Sequence, residues 1–167
     1  MARRGDEVYL GLHHVPGGIA MESFLAYLST DHQRCDDLFA EAETAAGRRD
    51  WAGAADKFQA FRAAMLRHLE AEESLLFPAF EARLGHTGGP TRVMCNEHAQ
   101  MRDLLDSMAD SVAARDEAEY QGLAETLLWL MRQHNVKEEQ ILYPMSDQML
   151  ADARADLLER MAAVSPA

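Results

Sequence analysis

Two histidine–glutamate pairs are the residues of this chain most suited to bind a metal. His68 is followed by Glu72, and His134 is followed by Glu138. Residues four apart on a helix lie about 6 Å from each other on one face, so each pair can address a common centre. A buried carboxylate is costly unless it is paired, hydrogen-bonded or metal-bound, and two facing carboxylates also repel each other. One or two dications would remove both penalties, so the pattern predicts a metal centre.

Two further histidines, His32 and His98, complete a candidate set with four imidazoles and two carboxylates. Each precedes the histidine of one pair by 36 residues, and each feature recurs after 66 residues. The segments 68–78 (HLEAEESLLFP) and 134–144 (HNVKEEQILYP) match along their length, and an acid–histidine dipeptide occurs at both 31–32 and 97–98. This repeat predicts two copies of a helix pair, related by a pseudo-twofold axis.

The elements that must position these residues are helices. Stretches rich in Ala, Leu, Glu and Arg are separated by proline and glycine, and runs of β-branched residues are absent. The predicted helices span residues 20–46, 51–84 (with Asp50 as N-cap), 91–114 and 117–148, with a short fifth helix near 150–163 that buries Leu150, Leu157, Leu158 and Met161. Such amphipathic helices with short connections usually form bundles.

We therefore expect an all-α, up-down-up-down four-helix bundle. Its predicted parts are an irregular N-terminal arm (1–18), the bundle (19–149), and a C-terminal helix and tail (150–167). Proline 78 and proline 144 each remove a helical hydrogen bond, so both helices are expected to kink there.

The 3/4 spacing of a helix face predicts an inward row for each long helix. The rows are Leu25, Leu28, His32, Cys35, Phe39 and Ala42; Phe58, Phe61, Met65, His68, Glu72, Leu75 and Ala79; Met94, His98, Met101, Leu105, Met108 and Val112; and Leu127, Met131 or Leu130, His134, Glu138, Ile141 and Met145. Beyond the candidate ligands these rows hold no acidic or basic side chain. We therefore expect no proton donor for O–O cleavage, which argues against oxygenase chemistry.

Other polar or sulfur-bearing residues are expected to serve the surface or the core. Glu73 and Glu139 lie about 100° around the helix from the candidate ligands, so they are predicted to be solvated or to act from outside the ligand set. Histidines 13, 14 and 86 are expected at the surface. The thiols of Cys35 and Cys95 are interpreted as core groups rather than redox groups or ligands, and the methionines 65, 94, 101 and 131 as packing that keeps the pocket apolar.

The ligand chemistry narrows the metal to iron, manganese or zinc. A structural zinc site needs four ligands, so six suggest two metals. If both carboxylates and an oxo or hydroxo group bridge two six-coordinate metals, one position remains open on each metal. Open positions allow O₂, NO, peroxide or water to bind. They therefore favour a reactive metal centre over one that only stabilises the fold.

The six candidate ligands, with their Glu-Glu and Phe/Tyr-Pro tails, resemble the hemerythrin-like HHE cation-binding domain over about residues 20–148. The resemblance implies a four-helix bundle with two non-haem Fe ions, bridged by an oxo or hydroxo group and by Glu72 and Glu138; Mn or Zn are the alternatives. Ferritin-like diiron bundles use Glu-x-x-His instead, with the opposite order and a different spacing.

The chain departs from the oxygen-carrying hemerythrins in two places. Arg102 stands where their third helix has a second histidine. Their last helix carries a His-x₄-Asp pattern, whereas this chain has His134-x₃-Glu138. Both differences argue against pure oxygen storage and bring the pattern closer to six-ligand HHE proteins of iron–sulfur repair and NO response. Those repair proteins usually carry an N-terminal segment with a cysteine, whereas residues 1–20 contain none. This difference argues against a direct role in repair.

The sequence thus predicts a diiron protein that binds or senses O₂, NO or peroxide. The alternatives are an iron donor or repair protein, an enzyme that consumes peroxide or NO, and a structural metal bundle. A binding or sensing protein would form a reversible adduct, an iron donor would lose its metal to an acceptor, and an enzyme would turn over its substrate. A structural bundle would do none of these.

Charge and composition limit the partners. Lys and Arg number 16 against 28 Asp and Glu, a net charge of −12, which argues against nucleic acid and anionic membranes. No stretch approaches the roughly 20 apolar residues of a membrane span. Two cysteines and no export signal predict a cytoplasmic protein with reduced thiols. A protein redox partner and a homodimer are left open.

Overall fold

The computed structural model describes residues 23–164, and these residues form helices joined by short turns, with no strand among them. The helices are α1 (Phe24–Gly47), α2 (Trp51–Ala71), α3 (Phe77–Leu84), α4 (Pro90–Ala114), α5 (Glu117–Lys137), α6 (Tyr143–Met149) and α7 (Arg154–Val164). Their positions confirm the predicted all-α architecture. The predicted arm, with histidines 13 and 14, lies outside the described residues.

Short polar side chains begin three of the long helices. Ser23 accepts a hydrogen bond from the amide of Ala26, and Asp116 accepts one from the amide of Glu119. Asp50, the predicted N-cap of α2, accepts one from the amide of Gly53. Each cap satisfies an amide that has no partner within its own helix. The short connections between the long helices require neighbouring helices to run antiparallel.

The core has two parts, and the candidate ligands lie between them. In α1, His32 separates Leu28 of one cluster from Cys35 of the other; in α4, His98 separates Met94 from Met101 in the same way. The predicted buried side of the last helix is confirmed for Leu157, Leu158 and Met161, which lie in the same cluster as Leu28 and Met94. The helix begins later than predicted, at Arg154, so Leu150 lies in the same cluster but precedes the helix. The polar centre is therefore enclosed by apolar packing on both sides.

Two π-helical turns interrupt the second and fourth predicted helices. The turns span Glu72–Leu76 and Glu138–Leu142, so each begins at a candidate ligand. The amide of Phe77 donates to the carbonyl of Glu72 five residues earlier, and the amide of Tyr143 does the same with Glu138. A proline comes directly after each of these two aromatic residues. Its ring would clash with the carbonyl four residues before it in a regular helix, and a wider turn relieves that clash.

Each π-turn shifts the inward face by one residue, which makes part of the predicted rows wrong. Ile141 is 55% exposed and Met145 is 37% exposed, although both were expected inside. Leu75 and Ala79 are only partly buried. Leu25 is also only partly buried, although α1 has no π-turn, because its neighbour Phe24 faces the core instead. The residues buried in their places are Phe24, Leu76, Phe77, Phe80, Leu142, Tyr143 and Ser146.

No helix within residues 23–164 is both long and apolar enough to cross a membrane.

Candidate metal centre

The structure brings the predicted site residues together in the middle of the bundle. Donor atoms of Glu72, His98, His134 and Glu138 all lie within 4.8 Å of one another, and so do donor atoms of His32, His68 and Glu138. Each of these side chains is buried. Glu138 belongs to both groups, so the two groups form one cluster of four imidazoles and two carboxylates.

The four imidazoles face each other in two pairs. The Nε2 atoms of His32 and His68 are 3.1 Å apart, and those of His98 and His134 are also 3.1 Å apart. Every Nδ1 atom of these rings contacts a carboxylate, so a neutral ring carries its proton on Nδ1. The Nε2 atom of each neutral ring then directs its lone pair into the same small space as the others. A cation between them would turn this repulsion into binding.

The carboxylates behind the histidines come from two sources. Asp31 accepts from His68 Nδ1 at 3.1 Å and Glu97 from His134 Nδ1 at 2.9 Å, each within one half of the repeat. Glu73 and Glu139 accept from histidines of the opposite half, with both distances 2.8 Å. Glu73 and Glu139 thus act from outside the ligand set, as one of the two predictions for them stated.

Sequence reasoning did not assign roles to Asp31 and Glu97. The signal that could have found them was present, because an acidic residue precedes a candidate histidine at the same place in both halves. These acids do not serve the histidine beside them in the chain. They serve the histidine of the packed helix, which only the tertiary structure brings near.

Three of the four supporting carboxylates are held by a cation on their outer side. Arg34 binds Asp31 at 2.6 Å, Arg102 binds both oxygens of Glu73 at 2.8 and 3.0 Å, and Lys137 binds Glu97. Although partial burial opposes its charge, hydrogen bonds from His98 and Arg102 lower the pKa of Glu73 to about 2. Within the part of the chain that is described, Glu139 forms an ion pair only with His32.

The two central glutamates have oxygens with no hydrogen-bond partner among the described residues: Glu72 Oε2 and Glu138 Oε1, both fully buried. Burial and the neighbouring charge of Glu138 raise the pKa of Glu72. Burial also opposes the charge of Glu138, but the neighbouring imidazoles of His134, His32 and His98 hold its pKa well below the usual range. Unpaired buried carboxylate oxygens are costly in a protein and are what a metal ion would bind.

The orientation of the glutamates suits a bridging role. Glu138 directs Oε2 toward His32 Nε2 at 3.3 Å and Oε1 toward His134 Nε2 at 3.0 Å, so it has one oxygen for each imidazole pair. Glu72 Oε2 lies between the pairs, 3.5 Å from His68 Nε2 and 3.4 Å from His98 Nε2. Both carboxylates therefore reach both halves of the cluster.

Tyr143 is a central residue that the sequence interpretation missed. Its hydroxyl lies 2.7 Å from Glu72 Oε1, 2.7 Å from Glu138 Oε2 and 3.2 Å from His32 Nε2. Burial raises the pKa of Tyr143 well above that of an exposed tyrosine. The expectation that the inward rows offer no proton donor beyond the ligands is therefore wrong, because the π-turn rotates Tyr143 inward where a regular helix would have placed Ile141.

The remaining predicted residues lie where they were expected, except that Cys95 is only partly buried. Burial raises the pKa of the Cys35 thiol to about 12, and Cys95 is partly buried with its pKa also raised by burial. Neither sulfur belongs to the donor groups found among the described residues. The methionines at 65, 94, 101 and 131 are buried, and His86 is exposed in the loop after α3.

Comparison with known proteins identifies one family. The model of the hemerythrin HHE cation-binding domain matches residues 23–146, which include the whole donor cluster and both π-turns. Comparisons with curated proteins and with solved structures found no significant match.

Proposed function

This chain belongs to the hemerythrin HHE cation-binding family, and on that premise we propose that it holds two iron ions at the buried cluster and binds or senses O₂, NO or peroxide there. The observation that carries the proposal is the convergence of four imidazole Nε2 atoms on two buried carboxylates, each with one oxygen that lacks a hydrogen-bond partner. This donor set suits iron, and it lacks the thiolates that would favour a structural zinc.

In the proposed assignment each metal is held by one imidazole pair. His32 and His68 would hold one iron, and His98 and His134 the other, with Glu138 contributing one oxygen to each. Glu72 is the second bridging candidate, because its Oε2 atom lies at similar distances from both pairs. The metals would supply the positions at which a small diatomic or peroxide binds.

The chain's own groups prepare that centre. The four supporting carboxylates orient the imidazoles and make them stronger donors, and loss of such a group typically weakens metal binding by about 10- to 100-fold. Buried methionines and the Phe77 ring, which stacks on His98 at a centroid distance of 5.6 Å, keep bulk water away. A dry pocket protects a bound small molecule from competing reactions.

The decisive experiment measures metal content and ligand binding on the same sample. Protein purified under argon should contain about two irons per chain, as the two imidazole pairs require. Absorption spectra of the ferrous form are then recorded before and after O₂ or NO, with removal of gas by argon. A reversible spectral change is expected for binding or sensing. Zinc, or no metal at all, would contradict the iron proposal, and continuous turnover would replace it with the enzymatic alternative.

Asp31→Asn should weaken metal binding by about 10- to 100-fold while the fold stays intact. The amide still fills the space beside His68 but is a poorer acceptor for its Nδ1 proton, so the ring becomes a weaker donor. Competition with a chelator of known affinity measures the change. Asp37→Asn is the matched control, because Asp37 is exposed on the same helix. Equal affinities of the two variants would contradict a supporting role for Asp31.

A further inference from the structure

The two halves of the molecule differ by one oxygen atom at equivalent positions of the centre. Phe77 and Tyr143 are each the fifth residue after a central glutamate, each precedes a proline, and each is buried by a π-turn. Phe77 packs on His98, with centroids 5.6 Å apart and rings tilted by 24°. Tyr143 packs on His32, with centroids 5.8 Å apart and rings tilted by 32°. At positions related by the pseudo-twofold axis, one side of the centre therefore has the hydroxyl of Tyr143 and the other has the hydrocarbon ring of Phe77.

The Tyr143 oxygen has the spacing of a neighbouring ligand. Donor atoms about 2.1 Å from a six-coordinate metal lie about 3 Å from their neighbours around it. The phenol oxygen is 2.7 Å from Glu72 Oε1, 2.7 Å from Glu138 Oε2 and 3.2 Å from His32 Nε2. Glu138 Oε2 and His32 Nε2 belong to the proposed donors of the metal on the His32 side, and Glu72 is the second bridging candidate.

The hydrogen bonding at this oxygen points the same way. A phenol has one proton, so it can donate to only one of the two carboxylate oxygens that lie 2.7 Å away. Without a cation the second contact needs an extra proton on a buried carboxyl group. A cation that binds the phenol oxygen and both carboxylates satisfies all three oxygens together.

We propose that Tyr143 is a ligand of the metal held by His32 and His68, and that small molecules bind only at the metal held by His98 and His134. The inference rests on the proposed function and adds an asymmetry to it. On binding to ferric iron the phenol O–H bond is replaced by an Fe–O bond, the proton leaves to solvent, and no electron is transferred. On the other side Phe77 offers no donor, so the matching position stays open to O₂, NO or an anion such as azide.

The test loads the full chain with iron under argon, oxidises it, and compares the wild type with three variants. The wild type should show a visible phenolate-to-iron charge-transfer band, with phenolate ring modes in resonance Raman spectra. Tyr143→Phe should lose both signals and keep its iron. Tyr120→Phe is the matched control, because the Tyr120 hydroxyl is buried without a hydrogen-bond partner among the described residues, and it should keep both signals.

Azide titration provides the second readout. The wild type should bind about one azide per two irons, Tyr143→Phe about two, and Phe77→Tyr none, since the added phenol would occupy the open side; each metal has room for only about six donors. A ferric wild type with about two irons, no phenolate signal and unchanged azide stoichiometry in Tyr143→Phe would overturn this inference and leave the proposed function standing. Failure of the wild type to bind iron would overturn both.

Discussion

His68→Ala should yield a protein with little or no bound iron and without the metal-dependent part of its stability, and Glu138→Ala should do the same. Each substitution empties a donor position in the buried cluster. A metal that binds only the folded state stabilises it by about 4 kcal/mol when its free concentration is a thousand times its dissociation constant. Because Glu138 reaches both imidazole pairs, Glu138→Ala is expected to affect both metals.

The measurement combines metal analysis by mass spectrometry with denaturant unfolding, with and without added iron. Wild-type stability should rise with iron, and that of His68→Ala should not. His86→Ala is the control, because His86 is exposed in a loop away from the cluster and should retain both metal and the stability gain. Full iron loading in His68→Ala would show that the ligand assignment is wrong.

Deletion of Gln140 should destabilise the protein by about 3 kcal/mol, and Pro144→Ala should recover most of that loss in the shortened chain. Gln140 is an exposed residue within the second π-turn. Without it, Leu142, Tyr143 and Ser146 would lie three, four and seven positions after Glu138, which is the spacing of a regular helix face. The inward face and the candidate ligands therefore stay in place, but the Pro144 ring now meets the carbonyl four residues before it.

Urea unfolding of four proteins tests this explanation: the wild type, the deletion, Pro144→Ala, and the combination. In the full-length chain Pro144→Ala should have a small effect, because the π-turn already gives the ring room. The deletion and the substitution should thus be strongly non-additive. A deletion variant as stable as the wild type would show that the proline is not the reason for the wide turn.

The π-turns explain why helical periodicity grouped the candidate ligands on one face but misplaced the residues beyond them. Regular helical spacing connects His68 to Glu72 and His134 to Glu138, so the period predicts their shared face. Beyond Glu138 the same period predicts Ile141 and Met145 inside, whereas both are exposed. One inserted residue changes the direction of every later side chain by about 100°. The local pattern gives no warning of this except the proline near the end of each turn.

The sequence by itself determined the helices, the Asp50 cap of α2 and the set of six clustered residues. Helix formation and face periodicity depend on neighbours in the chain, and the repeat shows the same pattern of candidate ligands in both halves. Only the tertiary structure decided which groups meet across the bundle: that Asp31 supports His68 rather than His32, that Glu139 reaches the opposite half, and that Tyr143 contacts both glutamates. Those contacts depend on the distances and rotations between packed helices. Residues distant in the chain set this geometry together, so the sequence of a single helix does not reveal it.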